Sequence, residues 1–329
     1  MANRFKFLFG ALVFAQVLSL HAAALKDFPS ETKWMLNLDM KAAQASPIIN
    51  FIVDRIDPSK RQDAQNKLAA IRAMFGIDLI KDIDQLIMAG TGNAEKGGVA
   101  YVYGKFDVQR LSTILAASKN FTTDAYGNFT VMGWNDGKQK YISFAKPGLA
   151  MLSNSKPVLT DALDVFEGKK QGLASDSVFK STLLGTGHDL LTIQAVDVSS
   201  IAGEQPKAMA LKQAQALSLH VSASKPDALD ASLSVTAASD ETAQQIQQAL
   251  MGIQALALLR AGESPEPATL ASLAKISCQS RTVSVAITLP QNMIETAIRQ
   301  REERKAARAA EKAAATAAAA AAPAATKAN

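Results

Sequence analysis

The chain has 329 residues, 48% hydrophobic and 20% charged, proportions of an ordinary globular protein that exclude a disordered or fibrous chain. Its formal charge is +5, but two basic residues, Arg4 and Lys6, lie in an N-terminal leader, and residues 299–329 hold seven basic and three acidic residues. Taking both excesses away leaves the body 25–298 at −1, without the broad cationic surface that nucleic-acid binding requires.

Residues 1–24 have the three zones of a cleavable secretory signal in order: a cationic start, an apolar run from Phe7 to Leu20, and small residues at Ala22 and Ala24. The run is shorter than the roughly 20 residues a spanning helix needs, so the expected cut before Leu25 leaves no transmembrane segment. The expected location is periplasmic or secreted. Cys278 is the only cysteine, which excludes an intramolecular disulfide framework and leaves none at the cut to carry a lipid. Alternation places it beside Ile276 on one strand face, as a small buried hydrophobe.

Along the chain, Trp34, Leu36, Leu38 and Met40 share one face of a first strand. Ser46 and Pro47 then form a helix start, and Asp57-Pro58 stops that helix. A second helix, about 59–75, ends at Gly76, and strands follow at about 84–91 and 98–106 across a glycine-rich connection. Asp107 caps a helix that turns Val108, Leu111, Ile114 and Leu115 inward; strands at 128–134, 139–145 and 149–153 and a helix at 156–167 complete the first half.

The second half repeats this order. A strand at 189–198, a helical stretch at 206–214, strands at 216–223 and 229–237 and a capped helix at 240–260 lead to Val283–Ile287 and a last helix from Asn292. Asp240 takes the place of Asp107, between a hairpin and a long helix. Consecutive hairpins cannot build a parallel sheet, so the expected class is α+β: two related domains from a duplicated split βαβ-like unit, each a mainly antiparallel sheet with helices on one face. The expected domains are 25–185 and 186–298, with the chain loosening near 170–188. Residues 299–329 form an Ala/Lys/Arg-rich tail, helical or disordered, without an apolar stripe and stopped by Pro323. It reads as a solvated extension, with weak contact to an anionic surface as the alternative.

The search for chemistry finds little. His188 and His220, the two histidines after the leader, carry no catalytic motif; the first sits in a loop and the second on the polar face of a strand. There is no His-Glu-x-x-His helix, no Cys-x-x-Cys pair and no Gly-x-Ser-x-Gly elbow. Gly90-Thr91-Gly92-Asn93-Ala94-Glu95 leads into a strand rather than a helix, so no helix N-terminus stands ready for a phosphate. Asp78, Asp82 and Asp84 lack the spacing of a calcium loop and read as a solvated helix end. Trp34 and Trp134 lie in strand patterns that predict core burial. The sequons at Asn120 and Asn128 matter only in a glycosylating cell. No catalytic, cofactor-binding or metal-ligating residue is assigned, and no cofactor is implied.

The export signal, the opening strand, the run Phe75-Gly76-Ile77-Asp78-Leu79-Ile80-Lys81-Asp82-Ile83, and Val99 to Phe106 with Asp107 resemble a loosely defined family of exported bacterial proteins of unknown function. The resemblance covers most of residues 30–300 and implies an α+β fold and an envelope location, with no active-site residues to transfer. The resulting expectation is a non-catalytic envelope protein that binds or scaffolds a protein partner. The alternative is a periplasmic carrier of a lipid or other apolar ligand, and the third reading is a hydrolase pairing a serine with His188 or His220.

Overall fold

The computed structural model describes residues 23–92, 97–184, 188–198, 214–262 and 265–321. The leader up to residue 22 and the helical stretch expected at 206–214, all but its last residue, lie outside these. The class is α+β. In the first half, β1 (Trp34–Asp39) leads into helices α1 (Met40–Ala45), α2 (Pro47–Asp54) and α3 (Pro58–Phe75), then β2 (Ile83–Gly90) and β3 (Val99–Gly104). Next come α4 (Val108–Ala116), β4 (Thr122–Tyr126), β5 (Phe129–Asn135), β6 (Gln139–Lys146), β7 (Leu149–Ser153), α5 (Lys156–Phe166) and the short α6 (Lys180–Leu184).

The expected caps account for most of these boundaries. Ser46 accepts from the Ile49 amide at 3.4 Å and Asp107 from the Arg110 amide at 2.9 Å, each meeting one of the donors a helix start leaves open. Gly76 ends α3 at φ 71°, a conformation that costs glycine little. Strand β4 was not expected, because Thr122-Thr123-Asp124-Ala125 has no apolar alternation: it is the exposed edge of the sheet.

The second half comprises β8 (Asp189–Val196), β9 (Ala214–Lys225), β10 (Ala228–Ala237), α7 (Asp240–Leu259), α8 (Pro265–Leu273), β11 (Lys275–Gln279), β12 (Thr282–Pro290) and the long α9 (Gln291–Ala321). The cap of α7 is Ser239, which accepts from the Thr242 amide at 3.1 Å; Asp240 is the first helical residue, where its charge favours the helix dipole.

All twelve strands form one antiparallel sheet in the order β11-β12-β10-β9-β8-β1-β2-β3-β7-β6-β5-β4. Read outward from the β1–β8 pair, the halves run β1-β2-β3-β7-β6 and β8-β9-β10-β12-β11, the duplicated order. Trp34 pairs with Ala195, Leu36 with Ile193 and Leu38 with Leu191, so hydrogen bonding continues from one half into the other. Of the stretch near 170–188, residues 185–187 lie outside the described ones; before them Pro29 bridges Gly172, and Leu173, Phe179 and Leu183 are buried in the first half's core.

Register shows how the two faces are used. Met35, Ile87, Tyr101 and Met151 point to one side of the first half and meet Leu159, Ala162 and Leu163 of α5 and Phe28. Burying each such side chain contributes about 1.5–3 kcal/mol. Across β8 to β12 the same side carries Thr192, His220, Ser218, Ser234 and Ser284. There the core lies on the other side, where Val235 and Val283 pack under Ala243, Ile246 and Leu250 of α7. Trp34, Leu36 and Leu38 belong to that second side; they are only half-buried, while Met35 and Asn37 between them are buried. A strand covered on both faces cannot be assigned an inside by alternation alone.

Asn37 is polar and buried at the centre of the molecule. Its Nδ2 donates to the Thr182 carbonyl at 2.8 Å, its Oδ1 accepts from Gln85 Nε2 at 2.9 Å, and Thr182 Oγ1 donates to Gln194 Oε1 at 2.8 Å. The network ties α6 to β1, β2 and β8. Asn37→Leu leaves the buried Thr182 carbonyl without this donor and is expected to destabilise the fold by about 1–3 kcal/mol, read as a lower urea midpoint; an unchanged midpoint would show that the network does not hold the halves.

Candidate functional site

A mainly apolar hollow lies on the α7 side of the sheet, where three helices stand apart over the end of the β10–β12 pair. Its floor is Leu229 and Leu289, direct partners in register. One wall is the start of α9, with Met293, Ile294, Ala297 and Ile298; the others are Ile52 of α2 and Thr269 and Leu270 of α8. Together they enclose a groove of about 530 Å3, within the range of small-molecule sites. Asn292, Thr296 and Gln300 are its other polar side chains, and among the described residues no charged one lines it. Leu270 is 44% exposed and the other apolar walls are no more than partly buried, apart from the exposed Ala297, so this apolar surface is left without a protein partner. A hollow of similar volume, about 570 Å3 between α4 and β4–β5, is lined half by Ser, Thr and Asn and has less apolar character.

The groove exists because α9 is held to the elbow between α2 and α3. Arg55 Nη2 lies 3.2 Å from Glu295 Oε1 while its guanidinium stacks 3.6 Å over the Phe51 ring, and Lys305 Nζ lies 2.8 Å from Asp57 Oδ2. Asp57 also caps α3, accepting from the Ser59 amide at 3.0 Å. The Lys305 ammonium and then the Ser59 donors hold its carboxyl well below the usual carboxylate range. The α9 helix continues past residue 299 to Ala321, so the segment expected as a tail is, up to there, a continuation of the last helix, tethered at Lys305. Pro323 lies outside the described residues.

The candidates picked from sequence are scattered. His188 is exposed and lines a small hollow with Ser46, Pro47 and Ser224. His220 faces Thr192 and Ser232 across its neighbouring strands, opposite Leu217, Leu219 and Val221 in orientation. Neither side chain has an acid partner among the described residues. Asp230, also on the His220 face, is committed to Ser224 and Thr288, both at 2.6 Å, which hold its carboxyl below the usual range. Asp78 accepts from the Ile80 amide at 3.1 Å and Asp82 from the Asp78 amide at 2.8 Å, while Asp84 pairs with Lys41 at 3.1 Å. These acids organise the turn after α3. Among the described residues no group of three or more His, Cys, Asp or Glu is placed to hold a metal ion.

Cys278 is half-buried on β11 with Ile276, packed towards α7. Of the Gly90–Glu95 loop, residues 93–96 lie outside the described ones. Tyr101 and Tyr103 are buried with no hydrogen-bond partner for their hydroxyls among the described residues. Burial pushes both phenols above their usual value, so they stay neutral and offer no acid–base chemistry. The tryptophans are a partial correction, because both are half-buried rather than buried, Trp134 packing against Met132, Ile142 and Ala150. Trp34 Nε1 donates to the Gly92 carbonyl at 2.8 Å and its ring lies on Gly90 and Gly98, and with Trp134 and Met88 it borders an open hollow of about 260 Å3.

Sequence reasoning missed the groove. No local pattern announces it, because Met293, Ile294, Ala297 and Ile298 lie at the helical spacing of any packed helix. Because the folded-state carboxyl of Asp57 is depressed, its stabilising contribution is complete above the unfolded value of about 3.9 and is lost as pH falls through the depressed value. Asp57→Asn is therefore expected to lower the melting temperature near pH 7, with the gap narrowing as the pH falls below about 4; a gap independent of pH would mean that the carboxylate's charge is not what holds α9.

No family model matches the chain, and no curated protein matches it. Solved structures of TP0453 are similar to it. Crystal form III has a TM-score of 0.49 at 12% identity, covering 84% of this chain and 98% of that one. Crystal form I gives 0.46 at 10%, covering 85% and 98%, and crystal form IV gives 0.46 at 10%, covering 84% and 97%.

Proposed function

We propose that the chain is an exported, non-catalytic binding protein of the cell envelope that holds an apolar ligand in the groove between α2, α8 and α9. The observation that carries the reading is the groove itself: about 530 Å3 of space with mainly apolar walls and no charged lining among the described residues. The leader at residues 1–24 supports export, and among the described residues no helix is long and apolar enough to cross a membrane. The reading extends the binding role expected from sequence and prefers its carrier form.

A scaffolding role has its own observation. The last turns of α7 expose Met251, Ile253, Leu256, Leu258 and Leu259, and no charge occurs between Glu241 and Arg260. A helix apolar on all sides normally has a cover. Analytical ultracentrifugation addresses this surface: self-association abolished by Leu256→Gln with Leu259→Gln would place a protein contact there.

For the carrier reading, native mass spectrometry of protein from its own envelope is expected to give an added mass that disappears on denaturation. Ala297→Trp, which fills the groove from α9, is expected to lose that mass with its melting temperature within a few degrees of the parent's. Bare protein from both would overturn the reading.

A further inference from the structure

Asp27 is a buried acid without a cation. It closes the single 3-10 turn Leu25–Asp27 and is 7% exposed, next to Phe28, whose ring lies 4.6 Å from that of Tyr101. Its carboxyl makes one hydrogen bond, Oδ2 accepting from the Ala24 amide at 3.1 Å, and no ion pair among the described residues. The nearby Tyr101 and Tyr103 are raised above their usual value by burial first and by Asp27 among the lesser causes, so its charge faces the core. An acid in such a place is costly unless a cation reaches it.

The cut expected before Leu25 changes what Asp27 meets. It removes the Ala24 amide that Oδ2 accepts from and the Ala24 carbonyl to which the Asp27 amide donates at 2.9 Å. It also turns the Leu25 nitrogen from an amide into an ammonium, one residue nearer to Asp27 along the chain than the nitrogen it replaces. The place of that ammonium does not depend on the leader. The Phe28 amide donates to the Leu25 carbonyl at 3.1 Å, the Leu173 amide to the Phe28 carbonyl at 2.9 Å and the Ser30 amide to the Gln171 carbonyl at 3.2 Å. Gly172 lies so close to Lys26 that any side chain there would collide with its carbonyl, and Leu25 packs on the first half's core.

We infer that the amino terminus created at Leu25 by export closes onto Asp27 as an ion pair, so that the exported chain supplies the cation its precursor lacks. The inference rests on the export part of the reading above and is independent of the groove. An ammonium carries three donors and can meet Oδ1, which accepts no hydrogen bond among the described residues, as well as the Oδ2 that Ala24 vacates. Leader removal precedes folding, so the packing of Leu25 in the folded protein does not bar it.

The test starts from protein recovered from its own cells, whose intact mass is expected to begin at Leu25. A chain still beginning at Met1 overturns the export reading and this inference with it, whereas a start at any other residue overturns the inference alone. On the exported protein near pH 7, N-hydroxysuccinimidyl acetate is expected to acetylate the α-amino group about fivefold more slowly than in Asp27→Asn, because a carboxylate in contact keeps the amine protonated. Lysine side chains of the same protein are the internal reference. Asp27→Asn keeps the shape and an acceptor and removes only the charge. A chain two residues longer, with Ala23 and Ala24 kept ahead of Leu25, displaces the amino group and is expected to react at the faster rate with or without Asp27→Asn. An exported chain that reacts as fast as its Asp27→Asn variant overturns the ion pair; should that variant not fold, a rate equal to that of the longer chain does so.

Discussion

The pairing of β1 with β8 is the contact on which the rest of the molecule depends. Each strand would otherwise be the edge of its half, with a row of open backbone groups that invites another chain. Pairing them removes both edges and makes one sheet of twelve strands. The outer edges left are β4, which is mostly exposed and polar, and β11, five residues long. Short or polar edges are what a sheet of this length needs to stay discrete. The side chains at the joint reinforce the backbone, because Asn37, Gln85, Thr182 and Gln194 link α6 to three strands beside the apolar contact made by Leu183.

The halves share a strand order but bury their sheets differently. The first half is covered on both sides, by α5 and by α4, and therefore holds the larger core. Among the described residues the second half carries a Ser- and Thr-rich side on β9, β10 and β12, and its apolar clusters lie on the side under α7. The consequence falls on the last helix. In the first half, α5 after β7 closes against the sheet, whereas α9 after β12 touches it only near its start and leans on the α2–α3 elbow through ion pairs. Surface pairs of this kind are individually weak, which suits a wall standing beside an unfilled groove.

Much of the fold was legible, for local reasons. Ser46-Pro47, Asp107 and Gly76 announce helix ends because a cap or a left-handed residue is settled within four residues of sequence. Strand β4 and helix α8 were not legible, the first because an exposed edge needs no apolar alternation and the second because Pro265 and Pro267 in its first turn resemble a loop. The groove could not be read at all: Ile52, Leu229, Leu270 and Leu289 each sit in a pattern that reads as core, and nothing local says that their neighbours stand apart.

By itself the sequence determined the class, the antiparallel pairing and the repeated order of elements, all of which follow from hydrophobic period and turn chemistry over short stretches. The tertiary structure alone decided that the two units join through β1 and β8, which side of each strand is inside, and where apolar surface is left uncovered. Those outcomes depend on contacts between residues more than a hundred positions apart, such as Leu36 with Ile193 and Arg55 with Glu295, and alternation fixes that a strand has two sides without fixing which side meets a helix.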